Sequence, residues 1–455
     1  MFEGIIKAIK GVFRRMFPVN TVKQVVGRDI AISPTMVSKI EEWSLMYKGM
    51  APWVDEQVHS LRLEQGICRE FANVCLNEMQ SSVSDERLDT IYQAAIRNLN
   101  QNLQSGLALG SFCIKPIGRS AAEFITADRF MPVEFDAQEK PIKMVFVSVK
   151  IAGQSSYYLR FEYHALDKNG LTITNQAYHT SDLSSIGHPV PLSDVEEWAS
   201  LPEGINYPKM KRMDFGYYRN PIKNEIDGSF CGVSIFDSAT DLIKDTDMQF
   251  GRLDWEFESG ERAIHVDPTA MQAKPMVDKK GKTRYVMPKL NQRLYRMLDV
   301  QQGDNVDLYK EFSPQLRDQN FINGLNAYLR RIEFNVSLSY GDLSDVSDVD
   351  KTATEARIAK KRKYNMVKAI QKNLEDCLDD LVYALAFYNG LTTSGYEFIC
   401  TFKDSILVDE ETERQQDRTD VSMGVMSKAE YRAKWYGETL EEAERNLPEA
   451  AGVIE

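Results

Sequence analysis

Over roughly the first hundred residues the apolar positions return every three or four places, the period of a helix that buries one face. Pro34 to Gly49 sets Trp43, Met46 and Tyr47 on one side, with Ser33 as N-cap and Pro34 at the first helical position, where an N–H would go unused anyway. Ser60 to Met79 repeats Leu63, Ile67, Phe71, Val74 and Cys75. Asp85 to Leu107 repeats Leu88, Ile91, Ala95, Leu99 and Leu103. These stretches predict helices of one packed domain. Residues 1–17 read as an amphipathic helix, with Phe2, Ile5, Ile6, Ile9, Val12 and Phe13 opposite Lys7, Lys10, Arg14 and Arg15. They lack a signal peptide's continuous apolar run and small-residue cleavage site. A membrane-surface helix fits this pattern, but packing on the body of the protein or on a neighbouring subunit is the expectation. No segment approaches the roughly 20 apolar residues that span a bilayer, so no membrane partner is expected.

Near residue 111 the period changes. Ser111 to Ile117, Glu123 to Phe135, Ile142 to Ile151, Ser156 to His164 and Leu171 to Ala177 are short runs rich in Val, Ile, Phe and Tyr. Gly153 with Gln154, and Lys168 to Gly170, supply turn chemistry between them. The pattern predicts an antiparallel meander rather than a βαβ series, and no glycine-rich phosphate loop is present. Residues 181–230 read as a long connection punctuated by Pro189, Pro191, Pro202, Pro208 and Pro221.

Helical spacing returns after Ser234, a candidate N-cap with Asp237 three residues on. Ile235, Ala239, Leu242, Ile243, Thr246, Phe250, Leu253 and Phe257 form the apolar face. Asp237, Asp241, Asp245, Asp247, Asp254, Glu256 and Glu258 dominate the other face, against Lys244 and Arg252. From Ala263 to Phe312 the pattern breaks into an insertion with short strands at Ile264 to Val266, Arg284 to Met287 and Leu294 to Leu298. Lys279, Lys280, Lys282 and Arg284 form a basic, hairpin-like tip: either a solvated turn or a docking surface for an acidic partner. A second helix is expected from Leu316 to Ser337, with Phe321, Leu325, Tyr328, Leu329 and Ile332 inward. Two helices flanking a small subdomain predict a stalk with a knob at its end.

An acidic run follows, Tyr340 to Asp350, containing Asp342, Ser344, Asp345, Ser347, Asp348 and Asp350 before Lys351. Thr352 and Glu355 then fit a capping box. The helix they open continues without proline or glycine for about 37 residues, on the order of 55 Å, until Gly390 stops it. Val367, Ile370, Leu374, Cys377, Leu378, Leu381, Leu385 and Tyr388 form its buried stripe. Arg357, Lys360, Lys361, Arg362, Lys363 and Lys368 crowd the first half, and Glu375, Asp376, Asp379 and Asp380 the second. A strand at Tyr396 to Phe402 and helices at Asp409 to Asp420, Met426 to Trp435 and Thr439 to Asn446 complete the chain, with Ser427 and Thr439 as caps. The fold class expected is α+β, mainly α.

Composition narrows the function. The 455 residues exceed one ordinary core, so about two to four domains are expected. Hydrophobic content of 43% and charged content of 27% are those of a folded soluble chain. The net charge of -12 argues against a simple sequence-reading DNA binder. Six scattered cysteines form no CxxC pair, which fits buried thiols in a reducing compartment better than zinc or disulfides. The five histidines, His59, His164, His179, His188 and His265, show neither HxH nor HExxH spacing, and no GxSxG occurs. No metal, cofactor or enzymatic activity is therefore expected. The acidic run lacks the alternate acids, central glycine and closing glutamate of a calcium loop. A solvated surface loop remains one reading of it, and a loop lining a polyanion channel another. Acids suit a conduit: a basic lining would bind phosphates through counterion release and brake movement, whereas an acidic one keeps the duplex centred. Arg357, Lys360 and Lys361 would limit the barrier, or else form a solvated or inter-subunit face.

Several local stretches in this order resemble one known family. Asn220 to Asp227 (NPIKNEID), Gly232 to Phe236 (GVSIF), Asp128 to Glu134, Lys351 to Glu355 and Gly424 to Arg432 are similar to segments of the portal proteins of tailed bacteriophages, of the type found in Listeria and related Gram-positive siphophages. The resemblance covers nearly the whole chain. It implies a portal fold, with residues 1–230 as the wing, 234–258 and 316–337 as stem helices, and 260–313 as the clip. Residues 339–352 would be the tunnel loop, 353–404 the long helix and return strand of the wing, and 405–455 the crown. It implies a homo-oligomeric ring, usually of about twelve subunits, at one capsid vertex of the virion, assembled in the bacterial cytoplasm. Double-stranded DNA would pass through it without sequence preference, both on packaging and on ejection. Asp342, Ser344, Asp345, Ser347, Asp348, Asp350 and Lys351 would face the channel, balanced by Arg357, Lys360 and Lys361. Lys279, Lys280, Lys282 and Arg284 would meet the terminase large subunit and then a head-completion or adaptor protein. Major capsid and scaffold proteins are further implied partners. The alternative is a phage structural or baseplate assembly protein that does not contact DNA.

Overall fold

The computed structural model describes residues 19–153, 156–183, 185–266, 274–277, 283–286, 295–297, 309–345, 353–392, 395–402 and 410–447. The predicted helix at 1–17 lies outside them. The fold is mixed α and β, with 45% of the described residues helical and 23% in strands, so helix outweighs strand about two to one. The chain divides into two compact units. Met1–Glu41, Gln65–Ile235 and Ala353–Glu455 form the first, and Glu42–Glu64 with Phe236–Thr352 the second.

In the first unit the expected meander is present. Strands Phe130–Phe135, Pro141–Gly153, Ser156–Asp167 and Gly170–Thr180 pair antiparallel in chain order. The proline-rich connection after them is less irregular than its sequence suggests. His188–Val190 and Gly204–Tyr207 both add to the outer edge of Gly170–Thr180, and Gly216–Arg219 pairs with Ser111–Ile117. Strands of three or four residues are too short to display alternation, which hides them from a periodicity reading. The helix expected from Ser60 to Met79 runs over Leu63–Leu76, and Met79 instead opens a strand, Met79–Val83, that pairs with Phe398–Phe402. The single helix expected from Asp85 to Leu107 is two, Glu86–Ala95 and Leu99–Leu109. Asp85 caps the first by accepting from Leu88 N at 2.8 Å, and the turn at Ile96 ends it.

The long helix runs over Ala353–Tyr388, 36 residues. Val367, Ile370, Leu374, Cys377, Leu378, Leu381 and Leu385 are all fully buried, as their spacing requires. Fully burying each Leu or Ile contributes about 1.5–3 kcal/mol. The helix packs on strands Gly216–Arg219 and Ser111–Ile117. Gly216 permits the close approach, because a Cβ there would collide with the carbonyl of Cys377. The stretch 220–231 is tied down by side-chain bonds. Asn220 Nδ2 donates to Leu107 O and Val233 O at 2.9 and 2.8 Å, and Asn224 Nδ2 to Asp227 Oδ1 at 2.8 Å. Asp227 accepts from Ser33 N at 3.1 Å, just before helix Pro34–Tyr47, where Ser33 Oγ caps Met36 N. The capping boxes at Ser427 and Thr439 are both formed.

In the second unit two helices, Thr240–Ser259 and Asp318–Asn335, pair antiparallel. Ser238 exchanges hydrogen bonds with Asn335 at one end of the pair. Arg317 clamps Glu256 at the other, with Nη2 to Oε2 at 2.7 Å. Ser234 is not the cap of the first helix: it is buried, and a short 3₁₀ turn at Asp237–Ala239 comes before Thr240. Between the helices, Ala263–Val266 pairs parallel with Tyr295–Met297 and antiparallel with Tyr309–Phe312. Lys274–Val277 pairs antiparallel with Thr283–Val286.

Candidate functional site

The acidic run begins where helix Asp318–Asn335 ends, and a buried glutamate builds its first turn. Leu338 N donates to Glu333 O at 2.8 Å, which Ser337 permits by taking a φ of 66°, the left-handed conformation usual for a helix stop. The chain then folds back over the Glu333 side chain. Glu333 Oε1 accepts from Gly341 N at 3.0 Å, Leu343 N at 2.6 Å and Ser344 N at 2.8 Å. Its Oε2 accepts from Ser344 Oγ at 2.9 Å. Glu333 is fully buried. Gly341, at a φ of 97°, supplies the bend.

Three predicted channel residues fall in this turn. Asp342 Oδ2 accepts from Ser339 N at 2.8 Å. Asp345 is exposed, and its backbone N–H donates to Asn326 Oδ1 at 3.1 Å. Ser344 is a buried anchor of the turn rather than a surface group. Ser347, Asp348, Asp350 and Lys351 lie outside the described residues, as do Lys279, Lys280 and Lys282. Arg284 occupies strand Thr283–Val286, opposite Met276. Arg357 lies on the long helix, while Lys360 and Lys361 there are exposed. Lys363 of the same run is buried and pairs with Glu70 at 2.6 Å, so the run is not one uniformly solvated face.

The acidic face of helix Thr240–Ser259 also divides. Asp241 and Asp245 are exposed, whereas Asp247 and Glu256 are buried. Large apolar groups take surface positions instead: Trp255 is 67% exposed, Phe257 44% and, on the partner helix, Phe334 49%.

A second constellation escaped the sequence reading. In the first unit a buried chain runs from the Tyr388 hydroxyl to Asp214 Oδ2 (2.9 Å) and from Asp214 Oδ1 to His164 Nδ1 (2.7 Å). It continues from His164 Nε2 to Glu162 Oε1 (2.8 Å), whose Oε2 meets Lys115 Nζ at 2.7 Å and Arg160 Nη2 at 2.9 Å. Burial disfavours charge on His164, but the Asp214 carboxylate and hydrogen bonds to both acids outweigh it and raise the pKa to about 9. Burial opposes the Glu162 anion too, and Lys115, His164 and Arg160 overcome this, holding its pKa well below the usual carboxylate range. The chain borders a cavity of about 680 Å³ that Trp198, Tyr207 and Phe387 also line. Both imidazole nitrogens face carboxylates, which leaves His164 no lone pair for a base. The arrangement joins the end of the long helix to the sheets.

Burial pushes the Cys113 and Cys377 thiols well up and Cys231 to about 12, which makes these three poor nucleophiles. Among the described residues no group of three or more His, Cys, Asp or Glu could hold a metal ion, and no helix is long and apolar enough to cross a membrane. No protein-family profile matches the chain, and no curated protein matches it in sequence.

Proposed function

We propose that this chain is a portal-type subunit, one copy of a ring at a capsid vertex through which double-stranded DNA is packaged and ejected. The observation that carries the reading is an order of parts within 236–388. An antiparallel helix pair bears a strand-built insertion at one end. At the other, a turn anchored by Glu333 opens an acidic run, which leads in sequence to a 36-residue helix. An anchored, acid-rich turn suits a conduit, since it meets a duplex without holding phosphates. Exposed Trp255 and Phe257 at one end of the helix pair and Phe334 at the other fit burial against further copies, because large aromatics are costly to leave in water. In this role the ring is passive, and a separate motor, the terminase, docks on the insertion and burns the ATP. A head-completion or adaptor protein would follow it there, and capsid and scaffold proteins would surround the first unit.

Negative-stain microscopy of the purified full chain tests this. The expected result is a closed ring with a central hole of duplex width. Filaments or small compact oligomers would favour a structural or baseplate assembly protein that never meets DNA. Deleting Asp342 to Asp350 tests the channel assignment: if rings still form while packaging and DNA retention are unchanged, those residues do not face the duplex.

A further inference from the structure

Within the second unit, segment 42–64 is fastened to helix Thr240–Ser259 through one carboxylate. Asp247 is fully buried and accepts from Trp53 Nε1 and from Leu61 N, both at 2.9 Å. The backbones lie close, since a Cβ on Gly251 would come within 2.9 Å of the Gln57 carbonyl. Arg62 takes a φ of 57°, and its guanidinium packs against Gly49 in the space a Cβ would need. Two residues later stands Glu64, 0% exposed. Apart from its own backbone N–H, no donor reaches either carboxylate oxygen.

An ionised carboxylate so placed is costly, and the usual remedy is a proton. We propose that Glu64 is a buried proton switch that sets how firmly segment 42–64 holds helix Thr240–Ser259. The inference stands apart from the proposed function and needs no ring.

The electrostatic influences oppose one another, and burial decides their sum. Burial is the largest influence and its own backbone N–H a partial offset; Asp247, across on the facing helix, then repels, and Arg62, on its own segment, attracts. Together they push the Glu64 carboxyl up to about 7 from an ordinary 4.5. Asp247 is itself raised, by burial against the hydrogen bonds from Leu61 and Trp53. An acid whose pKa is higher when the clasp is closed binds its proton more tightly there. The clasp is therefore firmest below about pH 4.5, loosens as pH rises from there to about 7, and stays loose above. A shift of this size corresponds to a rise in the opening constant of about two orders of magnitude.

Hydrogen exchange on the full chain, corrected for the intrinsic pH dependence of amide exchange, reads this directly at Leu61 N and along helix Thr240–Ser259. Opening is expected to rise about tenfold per pH unit from pH 5 to 7 and then level off. In Glu64→Gln, which cannot ionise, most of this rise should vanish, with the protected state retained at pH 8. An unchanged profile in Glu64→Gln overturns the proposal. Carbon-13 NMR of glutamate carboxyls in the unsubstituted chain gives a check independent of how the variant folds: one midpoint near 7 supports the switch, and none above the ordinary range sinks it. Magnesium and calcium, each added alone, cover the remaining case. If either ion shifts the profile and Glu64→Gln abolishes that shift, the carboxylates hold a cation and the proton proposal is wrong.

Discussion

Replacing Glu333 tests whether one buried side chain sets the start of the acidic run. The carboxylate receives three backbone N–H groups and the Ser344 hydroxyl, all within 3.0 Å. Glu333→Ala removes the acceptor and leaves those donors facing a cavity. Gly341 and Leu343 are only partly buried and can turn to water, but Ser344 is buried and cannot do so without unfolding the turn. Breaking a buried, charge-assisted set from one side costs about 3–5 kcal/mol. Glu333→Gln retains one carbonyl oxygen for the three amides and loses the acceptor for Ser344 Oγ, so about 1–2 kcal/mol is expected. Exchange at the amides of Gly341, Leu343 and Ser344 is the proper assay, because a chain of two units does not offer a single unfolding free energy. The alanine variant should speed these amides by roughly two to four orders of magnitude, and the glutamine variant by about tenfold. Equal effects from the two variants, or protection at Ser344 unchanged in the alanine variant, would refute the anchoring.

Two more tests address the first unit. His164→Gln should weaken it by about 3 kcal/mol at pH 6, following from a folded pKa of about 9 against 6.5. That contribution is fully present below pH 6.5 and is lost as pH rises through 9, so denaturant titrations of the two proteins should converge by about pH 10; a gap independent of pH would show that His164 acts by packing alone. Gly110→Ala should cost more than Gly118→Ala in thermal denaturation. Both glycines have positive φ, 88° and 64°, but only at Gly110 would a Cβ strike backbone, the Gly232 carbonyl. The strain of φ alone is roughly 1–2 kcal/mol, and equal losses would mean the neighbouring chain yields freely.

Much of the fold was legible because its elements are long enough to declare a period. The stripe from Val367 to Leu385 is spaced for a helix and is buried throughout. Ser33, Ser427 and Thr439 announced their helix starts by chemistry that acts within three residues. What failed to show was set by contacts distant in sequence. Met79–Val83 becomes a strand because Phe398–Phe402 pairs with it, and nothing local to either end announces the other. The split at Ile96 interrupts an apolar repeat that continues on both sides, so the repeat conceals it.

The buried acids of the second unit were hidden for a related reason. Glu64, Asp247 and Glu333 each sit on an apolar stripe of their own helix: Glu64 with Ile67 and Phe71, Asp247 four after Ile243, and Glu333 four after Leu329. A charge on a stripe reads as an imperfection when the helix is taken alone, and Asp247 then counts with the acidic face opposite the apolar one. Burial reverses its meaning. A carboxylate inside must be matched by donors or take a proton, and for two of these acids donors come from irregular backbone that has no partner in a helix or sheet: Leu61 N for Asp247, and the amides of Gly341, Leu343 and Ser344 for Glu333. An acid on an apolar stripe beside a loop is therefore a signal in its own right, since it marks where irregular chain is fastened to a helix. By that rule Glu333 is found from the sequence together with the glycine-bearing turn after it, and the acidic run it holds becomes a built feature before any function is assigned to it.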